Sequence, residues 1–259
     1  MKPPLSCLTA FLLLCACQSS LPRTPRSPDE LQADSLQGAL FLAQDVAEIE
    51  ALRPQLTPPF KLGITPPIAF EGEMDYDPWG WNRSPGGIRL GTWSPEELAL
   101  IERWSAEARA AGLVSEVEHL PAFLIGHDAE GNAPGFLTRV RQAAARSHVD
   151  AVLLLHSRSY SHAHGSVLSL LDLTLVGAVV LPSQSVTTQT ALEALVVDTR
   201  NEYLYSATSA YAEEQKWTPT VFVADAAREL ELESRREALA QVTRQLVEEA
   251  GTSARAAGP

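Results

Sequence analysis

Residues 149–209, VDAVLLLHSRSYSHAHGSVLSLLDLTLVGAVVLPSQSVTTQTALEALVVDTRNEYLYSATS, hold the longest apolar runs outside the N-terminus. They read as strands at 151–155, 167–181, 189–198 and 203–209, because apolar runs of this length bounded by turn residues favour extended chain. The 151–155 run, AVLLL, is apolar on both faces and so belongs in the middle of a covered sheet. The later strands are joined by PSQSVTT and TRNE, links short enough to make an antiparallel meander. A strand over 167–181 could span about 50 Å, so a bulge or bend near Gly177 is expected.

The chain before this block alternates helix and strand. Residues 29–53 keep a spacing near 3.6 through Leu36, Leu40, Ala43 and Ala47 and stop at Pro54, which predicts a helix. Phe60, Leu62 and Ile64 alternate with Lys61, Gly63 and Thr65 as a first strand, closed by Pro66 and Pro67. Ser94, Pro95 and Glu97 form a capping-box signature, opening a helix that ends at Gly112. Residues 113–120 are a short strand, and 135–147 a helix with Phe136, Val140, Ala143 and Ala144 on one face. A last helix covers about 222–250. The fold class is therefore mixed α/β, with two or three layers: β-α-β-α-β, then a three-strand antiparallel meander and a C-terminal helix.

The N-terminus predicts export. Lys2 is the sole charge in the first 22 residues, and residues 8–16 form an apolar run too short to cross a bilayer. Leu14-Cys15-Ala16-Cys17 resembles the lipobox of bacterial lipoproteins. That resemblance implies cleavage after residue 16, diacylglycerol on the Cys17 thiol and an acyl chain such as palmitate on its new amine. An ordinary signal peptide cut elsewhere is the alternative. The domains follow: signal peptide 1–16, Pro/Ser-rich tether 17–28, one α/β domain 29–250 and a flexible tail 251–259. Gln18 rather than Asp follows the cysteine, which by the enteric sorting rule favours the outer membrane, facing the periplasm.

With Cys7 and Cys15 removed and Cys17 acylated, the mature chain has no free thiol, hence no disulfide and no cysteine metal site. The formal net charge is −12, a poor match for a polyanion, so nucleic acid is not expected as a partner. Attachment to the membrane is expected through the lipid rather than through a basic surface.

Several stretches bear on chemistry. His156, His162 and His164 lie within HSRSYSHAHG, read as a polar hairpin loop. A zinc site needs three or four converging ligands, and no H-E-x-x-H or cysteine partner accompanies them, so no metal and no cofactor is expected. There is no G-x-S-x-G, and Ser166, His162 and Asp172 are neighbours only in sequence. No catalytic residue is assigned. Asp172 and Thr174 are read as the partly wet face of a strand, or Asp172 as hydrogen-bonded to a neighbouring strand; the alternative makes the acid a general base.

Residues 71–93, EGEMDYDPWGWNRSPGGIRLGTW, combine four acids with Tyr76, Trp79, Trp81 and Trp93. The run from Asp75 to Gly80 fails as a calcium loop, having Trp79 at position five and Gly86 at position twelve. The four rings are candidate partner contacts, since Trp and Tyr are favoured interface anchors. The alternative is that they cap the sheet edge.

The block LLDLTLVGAVVLPSQSVTTQTALEALVVDTRNEYLYSATS, with DAVLLL and FKLGITPP before it, resembles the rhombotarget-type bacterial lipoproteins. More distantly it is similar to periplasmic lipoprotein domains of the curli-assembly (CsgG-like) and TolB N-terminal types. The resemblance covers most of residues 60–209 and implies fold and location. GTSARAAGP lacks the sorting tail of some rhombotarget lipoproteins. The expected function is that of a lipid-anchored, non-enzymatic envelope protein that binds or scaffolds a protein partner, with self-association left open. Two alternatives stand: a subunit of an oligomeric export or secretion assembly, and a metal-dependent or hydrolytic envelope enzyme.

Overall fold

The structure, a computed structural model, describes residues 27, 40, 46–70, 88–126, 133–166 and 179–256. Cys17, Tyr76, Trp79, Trp81, Asp172, Thr174 and the bend expected near Gly177 lie outside the described residues. So does most of the helix expected over 29–53, of which α1 (Val46–Ala51) is the described end.

Three strands of 15 residues each dominate: β5 (Ala151–Gly165), β6 (Gln184–Asp198) and β7 (Leu204–Thr218). Each spans about 50 Å. β5 pairs antiparallel with β6 from Ala151↔Asp198 to Gly165↔Gln184, and β6 pairs antiparallel with β7. On its other edge β5 pairs in parallel with β1 (Phe60–Ile64), through Leu62↔Ala151 to Ile64↔Leu153. A step further along it meets β2 (Ile68–Phe70) at Ile68↔His156. β3 (Ile88–Leu90) lies antiparallel outside β2, and β4 (Val114–His119) parallel outside β1. The result is a seven-stranded mixed sheet.

Alternation along β5 builds two cores, one per face. Val152 and Leu154 face α3 (Ala122–Ile125) and α4 (Ala133–Arg146), meeting Ile125, Phe136, Val140 and Ala144. Ala151, Leu153 and Leu155 face α2 (Pro95–Ala110) and α5 (Val223–Ala256), meeting Ile101, Trp104, Leu239 and Val242. Both faces of the run AVLLL are thus covered by helices, as its composition requires.

The mixed α/β class is as expected, and so is the meander ending in a helix. Its bounds differ. The segment expected to be a hairpin loop, HSRSYSHAHG, is the continuation of β5, so the meander is β5-β6-β7 and shares the buried strand. PSQSVTT was expected as a link, yet most of it starts β6. Of the strand expected over 167–181, residues 179–180 are helical. α5 runs past its expected stop at 250 to Ala256. β2 and β3 were not foreseen.

At its distal end the sheet is narrower. Beyond β2 the described chain offers β5 no further partner on that edge. One face is covered by the first turns of α5, where Val223, Ala226, Ala227 and Leu230 pack on Ala163 and Val186. The other face is polar.

Candidate functional site

The sequence His156-Ser-Arg158-Ser-Tyr160-Ser-His162-Ala-His164 alternates large polar side chains with small ones. In a strand this period sends the two sets to opposite faces. The small set, Ser157, Ser159, Ser161 and Ala163, faces α5, where short side chains let the helix come close. Ser159 and Thr190 share a 2.9 Å hydroxyl hydrogen bond, Ser161 and Thr188 one of 2.8 Å, and Thr190 reaches Ser234 of α5 at 2.6 Å. The hydroxyls of Ser159, Ser161, Thr188, Thr190 and Ser234 satisfy one another in the interior, where an unpaired polar group costs about 1–3 kcal/mol. The buried Ser157 Oγ has no hydrogen-bond partner among the described residues.

The large set forms rows across the three strands. Register places His156 beside Glu193 and Ser209, Arg158 beside Ala191 and Tyr211, and Tyr160 beside Gln189 and Glu213. His162 follows beside Thr187 and Gln215, then His164 beside Ser185 and Trp217. Glu213 is the charged focus. Gln189 Nε2 donates to its Oε2 at 3.0 Å and Tyr211 OH donates to the same oxygen at 2.8 Å. These two bonds hold the carboxyl below the ordinary carboxylate range. Burial, then the neighbouring Glu213 carboxylate, pushes the Tyr211 phenol up. The His156 Nδ1 lies 3.8 Å from Glu193 Oε2.

His162 stacks on Tyr160 with ring centroids 6.2 Å apart. Burial lowers its basicity, Glu213 opposes that and His164 adds to it. The buried Nδ1 of His162 and the buried Oε1 of Gln189 accept or donate no hydrogen bond. The neutral imidazole is therefore the favoured form, next to a carboxylate kept charged by its own donors.

This geometry bears on each expected site. His156, His162 and His164 do share one face. His156 and His162 are six residues apart, about 20 Å along the strand, too far to share an ion. His164 is exposed at the distal end. No group of three His, Cys, Asp or Glu is placed to hold a metal among the described residues. Strand alternation also turns Ser157, Ser159 and Ser161 away from the histidines, so no serine of β5 can be activated by a histidine of β5. Of the four candidate contact rings, Trp93 is half-buried against the core formed by α2 and α5. Glu193, Gln189, Tyr211 and Glu213 were missed because they lie on other strands. The period of two in HSRSYSHAHG was the available signal that the face existed.

No family model matches the chain, and no curated protein aligns with it. Among solved structures it is similar to lipoprotein GNA1162 from Neisseria meningitidis, at 15% identity over 66% of this chain and 94% of that one, TM-score 0.31. Protein XCC0632 from Xanthomonas campestris, of the DUF330 family model, is 14% identical over 76% and 87% of the two chains, TM-score 0.32. A PelC dodecamer from Paraburkholderia phytofirmans is 11% identical over 71% and 91%, TM-score 0.28. These scores are too low to carry function from one chain to another; the function of this chain is read from its own residues.

Proposed function

We propose that the chain is a lipid-anchored component of the bacterial envelope that binds or scaffolds a protein partner and performs no catalysis of its own. The observation that carries this reading is Leu14-Cys15-Ala16-Cys17, a lipobox after a short apolar run and before the polar stretch of residues 18–28. Acylation of Cys17 provides the anchor, and Gln18 favours the outer membrane, facing the periplasm. Support for a binding role comes from the long polar face of the meander. Its carboxylate is held by a cross-strand bond from Gln189 and by the Tyr211 phenol of its own strand, rather than set against a nucleophile. The proposed partner contact is the aromatic stretch with Tyr76, Trp79 and Trp81; Trp93, further along the chain, packs on the core.

Two variants test it. Cys17→Ala should give a soluble or unprocessed protein, and a processed product that still sediments with membranes defeats the anchor. Residues 71–87 replaced by a Gly/Ser linker, with β3 and Trp93 retained, should lose the partner captured by crosslinking of the native lipoprotein. An unchanged crosslinking pattern defeats the contact assignment.

A further inference from the structure

The distal end of the meander gathers exposed apolar side chains that the fold does not use. Trp217 at the end of β7 is 54% exposed, and Val221 and Phe222, just beyond it, are 51% and 47% exposed. Val179 and Val180, which lead into β6, are 42% and 64% exposed. Connectivity holds the five together. Gly165, Gln184 and Thr218 pair across the last register of the three strands. Ser183 Oγ lies 3.2 Å from Thr220 Oγ1, tying the lead into β6 to the short 3-10 turn Thr220–Phe222.

We infer that this end of the meander docks on a phospholipid bilayer, with Trp217, Val221, Phe222, Val179 and Val180 entering the headgroup region. Trp is favoured at that depth because its ring is apolar while its N–H stays wet. The surrounding charges are matched within the chain. Lys216 pairs with Glu229 at 2.5 Å and Arg228 lies 3.7 Å from Asp225. Lys216 and Arg228, the basic groups beside the patch, are thus engaged by acids of the same chain, and an acidic chain gains nothing from anionic lipid. Burial of apolar area is the driving force that remains.

No helix among the described residues is long and apolar enough to cross a membrane, so the contact is with the surface. The inference rests on the proposed anchor for the nearness of the membrane. The chain enters the domain at the opposite end of β7, where Asn201 Nδ2 donates to the Arg53 carbonyl. Leu40 is buried in the core, so the tether is residues 18–39. Residues 18–28 extended span roughly 36–40 Å and residues 29–39 as the expected helix about 16 Å, about 55 Å together. The meander is about 50 Å long, so lipid at Cys17 and the distal end can occupy one bilayer together.

The test uses the mature chain, residues 17–259, with Cys17→Ser, so that no lipid is attached and the result is independent of acylation. The chain is floated with phosphatidylcholine vesicles at low and high salt. It should bind, with little change between the two. The double variant Trp217→Ser/Phe222→Ser should lose on the order of tenfold in partitioning, while Phe123→Ser, at a more exposed site on α3, leaves it unchanged. If the double variant fails to keep the parent's thermal transition, Val180→Asp takes its place, with the same loss expected. Absence of flotation by the parent chain overturns the inference, as does equal loss with Phe123→Ser or binding abolished by salt. A protein crosslink at Trp217 without vesicle binding would assign the surface to a protein instead.

Discussion

Glu97 and Arg235, far apart in sequence, meet in the interior with Nε 2.5 Å and Nη2 3.1 Å from the carboxylate oxygens. Glu97 is fully buried and has a second duty. Its Oε2 accepts from the Ser94 backbone N–H at 2.8 Å, and Ser94 Oγ accepts from the Glu97 N–H at 3.2 Å, which closes the capping box of α2. One carboxylate thus both starts a helix and joins it to α5. Arg235→Ala leaves that carboxylate buried and uncompensated, with an expected loss of about 3–5 kcal/mol. Replacing both residues by Met should recover most of it, short of about 1 kcal/mol for the reciprocal half of the cap. Denaturant unfolding of Glu97→Met, Arg235→Met and the double Met variant measures the coupling. A strictly additive cycle would show that the two residues do not act as a pair.

Tyr205 joins the incoming chain to the meander. Its hydroxyl accepts from the Gln55 and Leu56 N–H groups, both at 2.8 Å, and donates to the buried Asp198 Oδ2 at 3.0 Å. Tyr205→Phe removes three hydrogen bonds and keeps the ring. A loss of about 1–3 kcal/mol is expected, with faster amide exchange at residues 55 and 56 and little change in the centre of β5. Uniform acceleration of exchange through the sheet would contradict this local role.

The elements legible in the sequence are those whose signal is local. Ser94, Pro95 and Glu97 predict the start of α2 because a capping box is complete within four residues. The AVLLL of β5 predicts its own burial because both faces are apolar. The remainder of β5 was hidden by composition: Ser, His and Gly suggest a loop until alternation is weighed above content. β2 and β3 are three residues each, too short for a period to register. The polar face needs side chains from β5, β6 and β7 in one register, and the Glu97–Arg235 pair links residues separated by most of the chain. Neither is written in any single stretch.

Acid should loosen the distal meander. Burial holds His162 below its ordinary value near 6.5, so between that value and the folded one the unfolded chain binds more protons. Stability is then fully present above about pH 6.5 and falls as the pH drops toward the folded value. Glu213 acts in the same direction further down, since its folded carboxyl titrates below the usual 4.5. Glu231, raised by burial and by Glu97 against the lowering effect of Arg235, opposes them as the pH falls from its folded value toward 4.5. The contribution of His162 is isolated by His162→Gln, which should flatten the fall in melting temperature between pH 7.5 and about 5.5. An unchanged slope in that variant would remove His162 as the cause.

Gly63 sits in β1 against the core under α4, and a Cβ there would lie 3.0 Å from Val149 Cγ2 and 3.1 Å from Leu120 Cδ1. The strand is held on both sides, by β4 and by β5, so the backbone cannot retreat easily. Gly63→Val should therefore cost about 1–3 kcal/mol through overpacking, although Val is a better strand former than Gly. Gly63→Ala asks the Val149 methyl and the Leu120 side chain each to move by a few tenths of an ångström, and combining it with Val149→Ala should relieve the Val149 part of the contact. In thermal unfolding the double variant is expected to lie above the Val149→Ala single, because the new methyl fills part of the space that the valine leaves. If Gly63→Ala instead lowers stability by the same amount with and without Val149→Ala, the close approach to Val149 is not what requires glycine at this position.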